Sequence, residues 1–395
     1  MLFLLVLCAW FPTLALATNL WVSSYSGTVT TLSLTHKKKV HSLRQVAVSN
    51  QCLGDPSWLT YDSKYDTLYC IGEGLAGFGG NLTAFKANPD GSLTVESQQP
   101  TVSGGVNGIL YSNPPGGTYL AIAHYGGSAI TAWSLADPAK PSLIEALNFP
   151  LTIGLGPNTL RQDAPHPHEV ILDPTGKFIL SPDLGTDTVR IFGIANNGSL
   201  VNCPNVTVYS GSGPRHGAFH TPKHSRSPKN STTFYLVSEL ADELTAYHVI
   251  YPPTGECLSL QEVAFSTTLG PFSVPAGTAV AEIVVLGSSI LLSNRNDSSF
   301  ILPSTPSSPQ TTHSDSLAVF HHTQCGNFRF QQLAPAGGSF PRQFSVNKAG
   351  TLVAVGLQHS GSVVIIERDA MSGELRRIVA EVDGLGLVTC VIWDE

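Results

Sequence analysis

Charge is scarce in this chain: lysine, arginine, aspartate and glutamate make up 12% of its 395 residues. The basic side is scarcer still, with 21 Lys and Arg against 28 Asp and Glu, a net charge of −7. That balance argues against nucleic acid as a partner and against an anionic membrane surface. Beyond the N-terminus no segment is a candidate membrane span. The cysteines, seven in all, match no zinc-ligand spacing. No G-x-S-x-G motif occurs, so a covalent acyl-enzyme on a serine is not expected.

Turn formers and apolar residues are plentiful. The 37 Gly and 27 Pro, with 42% hydrophobic residues, suit an all-β protein with a large core and many tight turns. The length exceeds a typical domain of roughly 100–200 residues. A propeller escapes that bound, because each added blade extends one closed structure.

The N-terminus, Met1 to Ala17 (MLFLLVLCAWFPTLALA), is apolar and ends in Ala15-Leu16-Ala17, the small-x-small pattern that precedes a cleavage site. A membrane anchor is the alternative, but the run is short and broken by Pro12. The expectation is a signal peptide over 1–17, one domain over 18–395, and a secreted protein. Sequons at Asn81, Asn197, Asn205, Asn230 and Asn296 agree with it. So do the six cysteines left after cleavage: Cys52, Cys70, Cys203, Cys257, Cys325 and Cys390. They can pair in an oxidising compartment, with a connectivity the sequence does not give.

A repeat runs through the mature chain. Its clearest copy is His168 to Ile194, HEVILDPTGKFILSPDLGTDTVRIFGI: a strand, a turn at Asp173-Pro174-Thr175-Gly176, a second strand, a break at Asp183-Leu184-Gly185 and a third. Other copies begin at Ser57, Asn107, Arg215, Glu282 and Arg342. Repeats of roughly 40–50 residues with about four strands each read as propeller blades. Two pieces are left over, NLWVSSYSGTVTTLSL near the start and LVTCVIW near the end. Joined, they make a seventh blade closed by strands from both termini. A six-bladed ring or a pair of β-sandwiches is the alternative. The Ser/Pro/Thr-rich stretch Ile301 to Ser316 reads as a flexible insertion.

In a blade the start of the first strand and the end of the second lie at one face. The starts are Ser57, Asn107, His168, Arg215, Glu282 and Arg342. The ends are Ser24, Glu73, His124, Asp183, Glu239, Arg295 and Gln358. The expected result is a funnel lined by His, Arg, Glu and Asp. Arginine forks match carboxylates bidentately, so a small anionic molecule is the expected guest. The alternative is a wet polar channel whose residues merely satisfy one another.

The run RQDAPHPHEVILDPTGKFILSPDLGTDTVRIF (Arg161 to Phe192), with GSGPRHGAFH (Gly211 to His220), SEL (Ser238 to Leu240) and SNR (Ser293 to Arg295), resembles the lactonase-like β-propellers. That family includes fungal carboxy-cis,cis-muconate cyclases and bacterial 6-phosphogluconolactonases. The resemblance spans almost the whole mature chain and implies a seven-bladed propeller. It also implies a catalytic set of His168, Arg215, Glu239 and Arg295, with no metal and no cofactor. His166 is the other candidate in the HPH pair. His124, Asp183, His216, Glu282, Arg342 and Gln358 complete the expected substrate-binding set. The departures from the family are the secretion signal, an insertion at Thr221 to Thr232, and the Ser/Pro-rich stretch after Arg295.

The expected chemistry is lactone formation or opening by acid–base catalysis, with arginines steadying developing negative charge. The rival is a secreted cell-wall or adhesion glycoprotein that binds without turnover. The segment Asn296 to Ser316 is expected beside the mouth, as a lid or as decoration. Asn296 is expected to turn outward or stay unmodified, with Asn81 the better glycan acceptor.

Overall fold

The computed structural model describes residues 17–395 except 39, 78, 114–116, 151–155, 223–230, 254–256, 304–310 and 324–325. Most of the expected signal peptide, the sequon at Asn230, Cys325 and much of both insertions lie outside the described residues. Ala17 already belongs to a strand.

Seven antiparallel sheets, each with a main path of four strands, form the ring. The blade joined by both termini runs Val388–Trp393, Ala17–Ser24, Thr28–Lys37, Val40–Ser49 from the channel outward. Leu20 pairs with Trp393 and Val22 with Val391. This is the closure expected from the split repeat, and it leaves no blade missing a strand. The other blades begin with Pro56–Asp62, Gly105–Ser112, Ile171–Leu172, Pro214–His220, Ala279–Leu286 and Pro341–Val346.

The core is divided among the gaps between blades. Each of seven apolar clusters joins two neighbouring sheets. Leu20, Val22 and Leu32 of the closing blade meet Ala354, Val363 and Ile365 of the next. Tyr235, Val237 and Leu244 meet Ile283, Ile290 and Leu292. Alternate residues of each strand therefore bury on both faces, which is why the inner strands read as β-branched runs.

Among the described residues two disulfides form, Cys52–Cys70 and Cys203–Cys257. Cys390 is buried and free. On either side of 304–310 the stretch after Arg295 forms regular structure. Phe300–Pro303 pairs with Thr311–Ser314 in a separate hairpin, whose base is held by Asp297 accepting the Ser316 and Asp315 accepting the Ser298 amide.

Candidate active site

The first strands are irregular where they begin. Pairing slips by one residue between Pro56 and Trp58, Gly105 and Asn107, Pro214 and His216, and Pro341 and Gln343. A slip also falls between Val280 and Ile283. The extra residue is Ser57, Val106, Arg215 or Arg342. Such bulges twist a strand and re-aim a side chain. Here they occur at one mouth of the channel, and they let consecutive residues both serve the site.

Glu239, the residue after the strand Thr233–Ser238, is the centre of one cluster. Its Oε1 lies 2.6 Å from Nη2 of Arg161. Its Oε2 lies 2.8 Å from Nε of Arg215 and 2.9 Å from Nη2 of Arg295. Arg215 also donates to the carbonyl of Ala281, and Arg295 to those of Ala279 and Val280. Burial pushes the Glu239 carboxyl up, but Arg295, Arg215 and Arg161 together hold it well below the usual carboxylate range. Burial and the neighbouring Arg295 push Arg215 down to about 9, which leaves it cationic at neutral pH. Arg342 sits 5.0 Å over the ring of Tyr25, whose hydroxyl donates to Glu73.

His168 belongs to a second chain of contacts. Its Nδ1 lies 3.1 Å from Nε2 of His216, and Nδ1 of His216 lies 3.0 Å from Oε1 of Glu282. If the Glu282 carboxylate accepts from His216 Nδ1–H, His216 Nε2 is left as an acceptor. His168 then donates through Nδ1 and presents a bare Nε2. Burial, with Arg215, His216, Arg342 and Arg295 nearby, holds the His168 imidazole well below its usual range. It is neutral at physiological pH. Those same arginines tie it electrostatically to the Glu239 cluster.

Other expected residues fall elsewhere. His124 has no exposed surface; its Nε2 bonds the hydroxyl of Thr131 within its own blade, and burial lowers it to about 4. Asp183 is likewise enclosed. It accepts the amides of His166, Gly185 and Thr186 and pairs with Arg190 at 2.7 Å. In the blade of His124 it is the next residue, Tyr125, that stacks on His166. The residues that follow the second strands are Tyr25, Glu73, Tyr125, Leu184, Glu239, Asn296 and Gln358, and only in the sixth blade is the site residue, Arg295, the last of the strand itself. The amides of Glu73, Leu184, Glu239 and Gln358 each donate back to the chain just before the first strand. A slip of one residue in a strand turns a side chain to the opposite face. His166 stacks on Tyr125 at 4.2 Å and bonds Asp163, beside His168 rather than in its place. Gln358 is buried at this level.

Four residues escaped the repeat argument: Arg161, Tyr25, Tyr125 and Glu169. Arg161 lies outside any strand, in a linking segment, so no periodicity marks it. The tyrosines were hidden by the same slip. Glu169 follows His168 in the chain, and its Oε1 lies 3.9 Å from His216 Nδ1.

Of the sequons, Asn197 and Asn205 are exposed. Asn296 is also exposed, at a left-handed φ of 62°. Asn81 is half-buried between Gly72 and Pro100, its Oδ1 accepting the Thr83 hydroxyl at 2.8 Å. Asn296 is thus the more open of the two.

Residues 19–393 match the family described as "Lactonase, 7-bladed beta-propeller". The chain belongs to that family. It is 28% identical over 359 residues to a protein of Arthroderma benhamiae called probable 6-phosphogluconolactonase, covering 90% of this chain and 83% of that one. It is 25% identical to a 6-phosphogluconolactonase of Bacillus subtilis, covering 82% and 83%. The solved structure of a periplasmic gluconolactonase of Pseudomonas aeruginosa superposes with a TM-score of 0.75 at 20% identity, over 96% of this chain and 99% of that one.

Proposed function

We propose that this protein hydrolyses the lactone of a small anionic sugar acid at the channel mouth. One observation carries the reading: Arg161, Arg215 and Arg295 all share the single carboxylate of Glu239. Guanidinium charge is left unmatched there, in a site of low dielectric. An anionic substrate supplies the missing charge, and the arginine forks suit a phosphate or carboxylate. The names of the fungal and bacterial relatives support a phosphorylated sugar-acid lactone.

The steps follow from the two clusters. Nε2 of His168 takes a proton from water as the water oxygen bonds to the lactone carbonyl carbon. The carbonyl electrons move onto oxygen, where a guanidinium holds the oxyanion. Its collapse breaks the ring C–O bond, and His168 returns the proton to the ring oxygen. The product is the open hydroxy acid. Glu239, committed to three arginines, positions them and is not the base.

Cyclisation of carboxymuconate would use the same residues to form the ring bond, and the names of the relatives favour opening. Two disulfides and exposed sequons support secretion into an oxidising compartment.

The test is the pure protein with 6-phosphogluconolactone, unphosphorylated gluconolactone and carboxymuconate, each against its spontaneous rate. Opening of the phosphorylated lactone with the lowest KM is expected. No acceleration of any of the three would leave the binding-glycoprotein reading in its place.

A further inference from the structure

Behind His216, on the side away from His168, the channel wall carries a group of donors. One carboxylate oxygen of Glu169, one of Glu282 and a ring nitrogen of His216 all lie within 4.8 Å of one another. The residues come from three successive blades. Nδ1 of His216 is the nitrogen that faces both carboxylates, at 3.9 and 3.0 Å. Glu169 is anchored by the Gly217 amide, and Glu282 Oε1 by the amide of Ile283. Oε2 of Glu282 is buried with no hydrogen-bond partner, on a side chain only 5% exposed. Among the described residues no lysine or arginine forms an ion pair with either glutamate. A half-buried and a buried carboxylate with one imidazole between them are short of positive charge, and a buried carboxylate oxygen without a partner is costly.

We propose that Glu169, His216 and Glu282 bind a divalent transition-metal cation. One imidazole nitrogen and two carboxylate oxygens are a zinc-type set, with a fourth position left open. The imidazole disfavours calcium and magnesium, which prefer oxygen ligands alone. The site is coupled to the base. A cation on Nδ1 of His216 leaves its proton on Nε2, so Nε2 donates to His168. His168 must then carry its own proton on Nε2 and loses the bare nitrogen that the hydrolysis requires. Occupancy therefore inhibits lactone opening through kcat, a consequence that rests on the function proposed above.

The experiment uses the full chain, stripped with a chelator and dialysed. Zinc is titrated by calorimetry and cobalt by visible absorption. Saturable binding of one equivalent is expected. Glu169→Gln should weaken it at least about tenfold, the scale on which even outer partners of a metal act. Glu169→Gln/Glu282→Gln should abolish it, with far-UV circular dichroism and thermal melting showing a folded ring. Absence of saturable binding, or binding unchanged in the double variant, overturns the site. In the activity arm, zinc should lower kcat with KM unchanged, and Glu169→Gln should shift the inhibition midpoint at least about tenfold. Zinc bound without any lactone opened would sink the proposed function and leave the site. Lactone opened without zinc bound would do the reverse.

Discussion

Arg215 and His216 are consecutive in the chain, yet both are buried at the site and serve different partners. Arg215 Nε lies 2.8 Å from Glu239 and His216 Nε2 lies 3.1 Å from His168. In a regular strand neighbours face opposite ways. The slip between Pro214 and His216 lets one short segment hold the anion-binding cluster and the base-orienting chain together. The bulge thus sets the spacing between charge stabilisation and proton transfer.

Replacing His168 should remove the base and leave substrate binding. His168→Ala is expected to lower kcat for lactone opening by about 10²–10⁴-fold, the usual worth of a positioned acid–base group. KM should change little. Steady-state kinetics on the phosphorylated lactone checks this, and a variant with normal kcat would rule His168 out.

Glu239→Gln should destabilise the fold as well as the site. Arg215 and Arg295 are buried, and removing their shared counter-charge leaves them unpaired, at a cost of about 3–5 kcal/mol. Because the folded carboxyl is held below its ordinary value of 4.5, its contribution is present above that pH. It is lost as pH falls through the lower folded value. Urea denaturation at neutral pH should show the loss, and the gap between wild type and variant should narrow in acid.

Asp242 gives the opposite sign. Burial raises its carboxyl from 3.8 to about 6, although it accepts the Val280 amide. The stability it lends is full below 3.8 and disappears as pH rises through about 6. Asp242→Asn keeps the acceptor and tolerates the left-handed φ of 51°. The variant should therefore melt higher than wild type at pH 8, by on the order of 2 kcal/mol, and about equally at pH 4. Equal melting at both values would refute the burial argument.

Removing Val388–Trp393 and the two residues beyond it should open the ring. The segment carries Val388, Cys390 and Val391, none with exposed surface, and it is the channel strand of the closing blade. Loss of a single cooperative thermal transition is expected, since an inner edge and two interblade clusters are laid bare. A truncated chain that melts like the full one would mean the closure contributes little.

Much of the fold was legible because blades repeat and strands alternate. The repeat at Ser57, Asn107, His168, Arg215, Glu282 and Arg342 announced the ring, and the split repeat announced its closure, since local turn chemistry and period-two patterning are properties of short segments. The repeat and the family resemblance pointed to His168, Arg215, Glu239 and Arg295, of which the structure pairs Arg215 and Arg295 with Glu239. Tertiary structure decided which neighbours face the mouth. His124 and Asp183 turned into the blades while Tyr25 and Tyr125 took the mouth, because pairing register is a long-range property that a one-residue slip inverts. It also recruited Arg161 to Glu239 and gathered Glu169, His216 and Glu282 from three blades. Those meetings are long-range, for the residues are brought together only when neighbouring blades pack.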